Sequence, residues 1–164
     1  MAGFGSSSLV VKISFICVIV AVLFHLVGFS TAYWSNWTGY VYSHHWGLWK
    51  ICQPYCYSVS SGSGWFGATQ AFETIGLIGG FVGLILIILY IFIDKTAGNR
   101  VLFIISLVAV GIAAGSTLLG VIIYGANGSA LSWSFALAVI AGLIYGVATA
   151  LMAIHLVKPG LVQG

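Results

Sequence analysis

Residues 101–157, VLFIISLVAVGIAAGSTLLGVIIYGANGSALSWSFALAVIAGLIYGVATALMAIHLV, run for 57 positions without a charge between Arg100 and Lys158. A helix crossing a hydrocarbon layer of ~30 Å takes ~20 apolar residues, so this run holds two crossings and a turn. Its one polar, glycine-rich interruption is Gly125-Ala126-Asn127-Gly128-Ser129. That predicts spans at about 101–124 and 131–157, joined by a short loop at about 125–130. Moving outward, Asp94-Lys95 closes a third apolar stretch at about 71–93, and residues 10–31 form a fourth. The segment between them, about 32–70, is rich in Ser, Gly, Tyr and Trp and lacks a sustained apolar run. It reads as the single large loop. The whole chain, 1–164, is one expected domain: an all-α membrane four-helix bundle.

Composition excludes the alternatives. Of 164 residues, 4% are charged and 61% hydrophobic, whereas soluble domains carry ~25% charged residues. A water-soluble globule cannot cover itself on those terms. The net charge of +3 comes from five scattered cations, too weak a basic footprint for nucleic acid. The lipid bilayer is the expected environment.

Orientation follows from the cations. Lys12, Lys95, Arg100 and Lys158 fall on one side of the four spans, and only Lys50 falls on the other. The positive-inside rule therefore places both termini in the cytoplasm of a multi-pass plasma-membrane protein. Asn36-Trp37-Thr38 and Asn127-Gly128-Ser129 are glycosylation sequons, and both fall on the expected outside. All six Trp lie in the outer loops or at the outer boundary. Residues 1–32 fit a cleavable leader only loosely, and the segment is expected to stay as the first span. Ala2 stands where N-myristoylation needs Gly.

Small residues mark the contact faces of the spans, because helices in lipid associate where backbones can approach closely. They are Gly76, Gly79, Gly80 and Gly83 in the second span, Gly111 and Gly115 in the third, and Gly142 and Gly146 in the fourth. Packing within the bundle and a groove for another membrane protein are both compatible with that spacing. Polar groups inside the spans are few. His25 is expected to bond a neighbouring helix, with no acid at similar depth. Glu73, placed at the outer start of the second span, is expected to pair with Lys50.

The outer loop is aromatic. Trp37, Tyr40, Tyr42, Trp46, Tyr55, Tyr57, Trp65 and Phe66 form a candidate partner surface, since Trp and Tyr are strong interface anchors. The stretches 37–42 and 46–51 read as strands. Cys52-Gln53-Pro54-Tyr55-Cys56 reads as a tight turn whose two cysteines form a disulfide on an oxidising face. Cys17, in the first span, reads as a small hydrophobe. A thiol oxidoreductase would need a second cysteine pair. His44 and His45 are adjacent and point to opposite strand faces, which makes them poor metal co-ligands. No catalytic, cofactor or metal site is expected, and the protein is read as non-enzymatic.

Trp34, then Gly47-Leu48-Trp49, Cys52 after two intervening residues, and Cys56 resemble the W…GLWxxC…C signature of the claudin superfamily. That group includes claudins, peripheral myelin and epithelial membrane proteins, and auxiliary subunits of calcium channels and AMPA receptors. The resemblance covers the whole chain and is nearest the short peripheral-myelin-like branch. It implies a left-handed bundle with a small extracellular antiparallel β-sheet. Trp34 and Gly47-Leu48-Trp49 would anchor that sheet on the helix ends, and Cys52–Cys56 would staple two strands. The chain departs from the family in four places. The cysteines are closer together, and Gln70-Ala71-Phe72-Glu73 stands where claudins place an Arg. The second outer loop is almost gone, and the C-terminal Leu161-Val162-Gln163-Gly164 lacks a scaffold-docking motif. Two functions follow as expectations. One is a cell-contact component that self-associates as a homo-oligomer through the aromatic sheet. The other is an auxiliary subunit docking on another integral membrane protein, a channel or transporter. Lys50 is the loop's only full charge, so a paracellular ion pore ranks below adhesion or barrier.

Overall fold

A computed structural model describes residues 7–39, 43–59 and 62–157. Its elements run α1 (Leu9–Ser30), β1 (Ser35–Thr38), β2 (Ser43–Trp46), β3 (Lys50–Gln53), β4 (Tyr55–Ser58), α2 (Gly64–Phe92), α3 (Arg100–Asn127) and α4 (Trp133–Val157). All four helices are long and apolar enough to cross a membrane, which makes the chain a multi-pass membrane protein. At 1.5 Å per residue, the 29 residues of α2 extend ~43 Å. The helix is therefore longer than a hydrocarbon core of ~30 Å is thick.

The helix ends follow from local chemistry. Ser8 caps α1 by accepting from the Val11 amide, and Asn99 caps α3 by accepting from Val101 and Leu102. Such caps satisfy amides that the first turn leaves without partners. Gly98 precedes Asn99 with φ +73, a conformation that glycine adopts without steric cost. α2 packs chiefly on α3, and α1 on α4.

The glycines divide into two sets. A Cβ on Gly83 would come within 2.5 Å of Val110, and one on Gly79 within 3.1 Å of the Ala109 carbonyl. Gly76 and Gly80 are closed off just as tightly, by Thr117 and Tyr145, and Gly142 by Leu118. These five let the helices approach one another. Gly115 and Gly146 have nothing within 4 Å of that position, and Gly111 only the Thr149 methyl at 3.5 Å.

The four strands form one antiparallel sheet in the order β1-β2-β3-β4. The expected strand at 46–51 is broken. Gly47-Leu48-Trp49 leaves the sheet between β2 and β3, and the Gly47 amide donates to the Lys50 carbonyl at 2.8 Å. Burial causes the break: Leu48 is taken wholly into an apolar cluster with Trp34, Val121, Tyr124 and Ala138. β1 would be an open edge, but residues 130–132 cover it. The Asn36 amide donates to the Ala130 carbonyl at 2.9 Å, and the Ser132 amide to the Trp34 carbonyl at 2.9 Å. Among the described residues, β4 pairs only with β3.

Candidate functional site

Strand register sorts the outer residues onto two faces, because successive side chains alternate. Ser35 pairs with Trp46, Trp46 with Ile51, and Ile51 with Tyr57. On the same face, Trp37 pairs with His44, and Gln53 with Tyr55. Trp37, Trp46, Tyr55 and Tyr57 thus share one side of the sheet, 66%, 49%, 83% and 52% exposed. Asn36, His45, Cys52 and Cys56 form a row on the other side, where Cys52 and Cys56 are joined by a disulfide. Lys50 belongs to that second side by the same alternation.

Not all of the expected partner surface is surface. Trp65 and Phe66 lie in the first turns of α2, and their rings meet Tyr124 at centroid distances of 5.8 and 6.4 Å. They belong to the packing beneath the sheet. Tyr40 and Tyr42 lie outside the described residues.

Trp34 is fully buried, and its indole Nε1–H donates to the Gly28 carbonyl at 2.8 Å. Gly47 sits so close to α1 that a Cβ would lie 2.5 Å from the Thr31 carbonyl oxygen and 2.6 Å from Ala32 Cα. The Gln70 side-chain amide donates to the Leu48 carbonyl at 2.6 Å, and Trp49 packs on Phe29 at 5.2 Å. The sheet is seated on the bundle through these residues. Asn36 and Asn127, the two sequon residues, are both exposed at the sheet end. The Asn127 side-chain amide donates to the Ile123 carbonyl at 2.8 Å.

The expected Glu73–Lys50 pair does not form. Because α2 begins at Gly64, Glu73 lies nine residues inside the helix. Its Oε2 is 2.9 Å from His25 Nε2, with both side chains fully buried. His25 therefore does have an acid at its own depth. With Nε2–H donating to the carboxylate, Nδ1 is left facing the Thr117 hydroxyl 3.5 Å away. The His25 ring also meets Tyr145 edge-on at 6.0 Å. Gly76, Gly80 and Gly120 supply the room, since a Cβ there would fall on Thr117, Tyr145 and Glu73 respectively. One group from each helix thus converges on a single polar cluster inside an apolar bundle.

Two further features escaped the sequence reading. The Ser35 hydroxyl donates to the Ser129 carbonyl at 2.7 Å and lies 2.9 Å from the Tyr124 hydroxyl. Ala130 holds φ 52, left-handed backbone that costs a non-glycine residue ~1–2 kcal/mol. His44 and His45 do lie on opposite faces of the sheet, as expected: His44 faces Trp37 across the strands, while the His45 ring meets that of Tyr33 at 4.4 Å in a tilted contact. Near the opposite end of the bundle, His155 Nδ1 is 3.2 Å from the Ser8 hydroxyl, and Cys17 is a partly buried free thiol. Among the described residues, no three His, Cys, Asp or Glu gather to hold a metal.

No protein-family model matches the chain, and no curated protein matches it either.

Proposed function

We propose that this protein is a claudin-superfamily tetraspan of cell–cell contact or membrane apposition, with both termini cytoplasmic, in the plasma membrane. It self-associates through its outer sheet into a junctional or barrier assembly. The observation that carries this reading is the row Trp37, Trp46, Tyr55 and Tyr57, side by side and exposed on one sheet face. Exposed aromatic patches of this kind mark protein contact. Two sequons at the same end, Asn36 and Asn127, support an extracellular sheet and a glycoprotein. Trp34, the Gly47-Leu48-Trp49 wedge and the Cys52–Cys56 bridge support the family reading.

Light scattering of the gently solubilised chain, and tethering of vesicles that carry it, test the proposal. Oligomers and tethered vesicles are expected. The double change Tyr55→Ser/Tyr57→Ser should weaken tethering at least tenfold, about 1.4 kcal/mol or more in contact energy. A lone monomer that leaves vesicles unjoined would overturn the reading. An Asn36 and Asn127 free of sugar, together with a Lys95 labelled from outside cells, would reverse the topology.

One observation favours a second reading, an auxiliary subunit docked on a channel or transporter. Gly115 and Gly146 have open space where Gly76, Gly79, Gly80, Gly83 and Gly142 meet a neighbouring helix, and close backbone approach is what a docking helix exploits. Gly115→Leu should then disperse a stoichiometric complex with a larger membrane protein while the bundle keeps its thermal stability. A protein that purifies as a homo-oligomer, indifferent to that change, would end this reading.

A further inference from the structure

A half-open pocket of about 300 Å³ is lined by Trp37 and Trp46 of the sheet and by Ser129 and Ala130 of the α3–α4 link. That volume is at the small end of the ~300–1,000 Å³ range of small-molecule sites, the size for one ring and its substituents. Trp37 and Trp46 occupy diagonal positions on adjacent strands, so two indoles flank the opening. Its polar lining is Ser35, His44, Gln53 and Ser129, of which the Ser35 hydroxyl is already bonded to the Ser129 carbonyl. His44 Nδ1 is shielded from solvent and has no hydrogen-bond partner among the described residues. An imidazole nitrogen left that way costs ~1–3 kcal/mol, and buried polar groups in native proteins nearly always find a partner.

Among the described residues the lining has no Asp, Glu, Lys or Arg, and Lys50 belongs to the opposite face of the sheet. A phosphate or carboxylate would find no counter-charge here. A quaternary ammonium would leave His44 Nδ1 unsatisfied, because it can neither give nor accept a hydrogen bond. A pyranose meets every wall: its C–H face lies against indole, and each hydroxyl both donates and accepts, so it serves His44 in either tautomer. Ala130 adds a further mark. Strained backbone persists where its surroundings over-determine it, and it clusters at ligand sites; here it lies in the cavity wall.

We propose that this cavity binds a neutral hexopyranose, the terminal unit of a glycan at the cell surface. A single copy of the chain is sufficient for binding, so the proposal goes beyond self-association and does not depend on it.

Saturation-transfer NMR on the full chain in nanodiscs, free of glycoside detergents, tests it. The probes are methyl β-galactoside, methyl α-glucoside and methyl α-mannoside, with choline and sialic acid as charged comparisons. Transfer to at least one neutral glycoside is expected. His44→Leu and, on a separate strand, Gln53→Leu should each weaken it at least tenfold, with thermal unfolding of each variant confirming the fold. Tyr55→Ser/Tyr57→Ser, which impairs tethering, should leave it unchanged, so that failure of the cavity and failure of the interface are told apart. Absence of transfer to all three glycosides, transfer undiminished in both cavity variants, or stronger transfer to choline or sialic acid would overturn the proposal. Nanodiscs containing glucosylceramide separate the sources. Competition with the soluble glycoside supports a lipid-borne hexose, and its absence supports a hexose on a protein or free in solution.

Discussion

Glu73→Ala is expected to lower the stability of the purified protein by about 3 kcal/mol, read from its unfolding in detergent. That value lies where the cost of stranding a buried hydrogen-bonded group meets the cost of breaking a buried ion pair. The change removes the 2.9 Å partner of His25 and leaves an imidazole enclosed by α1, α2, α3 and α4, whose remaining hydrogen bond among the described residues is the 3.5 Å contact with the Thr117 hydroxyl. Two further variants isolate the cause. Glu73→Gln keeps the volume and one acceptor oxygen and should lose much less. His25→Leu/Glu73→Leu removes both polar groups and should be more stable than either single truncation, because nothing polar is then stranded. If Glu73→Ala is as stable as wild type, the pair contributes nothing to the bundle.

Gly47→Ala should cost about 2–3 kcal/mol, at the upper end of overpacking penalties. The added methyl would meet the Thr31 carbonyl and Ala32 Cα at 2.5 and 2.6 Å. Both are backbone atoms, and no rotamer change relieves the clash. Withdrawal of the turn would also pull Leu48 from the cluster beneath the sheet. Gly115→Ala is the matched control. Nothing lies within 4 Å of its Cβ position, and alanine gains up to ~1 kcal/mol over glycine in a helix interior. Thermal unfolding of the two variants should therefore move in opposite directions. Equal shifts would mean that the wedge at residues 47–49 does not hold the sheet to the helices.

The four helices were legible because hydropathy and the placement of seven charges are strong, local signals. Depth was not. Starting the second span where apolar residues become continuous put Glu73 at its edge, yet the helix begins at Gly64. The segment from Trp65 to Gln70 is helical without being continuously apolar, so a count of apolar residues does not report on it. A signal was present: Thr69, Glu73, Gly76, Gly80 and Gly83 recur at helical spacing, and all are buried. The strand at 46–51 failed for a different reason. Its Trp, Leu and Ile content suits a strand, but tertiary burial of Leu48 overrides that preference. The disulfide needed only two cysteines flanking a Gln-Pro-Tyr turn, and the register places Cys52 directly opposite Cys56. The left-handed Ala130 and the cavity beside it had no local signature, because they arise where two distant segments meet.

That meeting has a mechanical side. The seam of residues 130–134 against 33–36 consists of amide–carbonyl bonds from Asn36, Ser132 and Ser134. The Thr31 hydroxyl, 2.8 Å from that of Ser134, extends it onto the first helix. It ties the top of α1 and the first strand to the top of α4. A pull on the first strand is therefore shared by two helices at once, through several bonds. A load entering at β4, which among the described residues pairs only with β3, would cross β3 and β2 to reach β1 and the pair of helices that grips it.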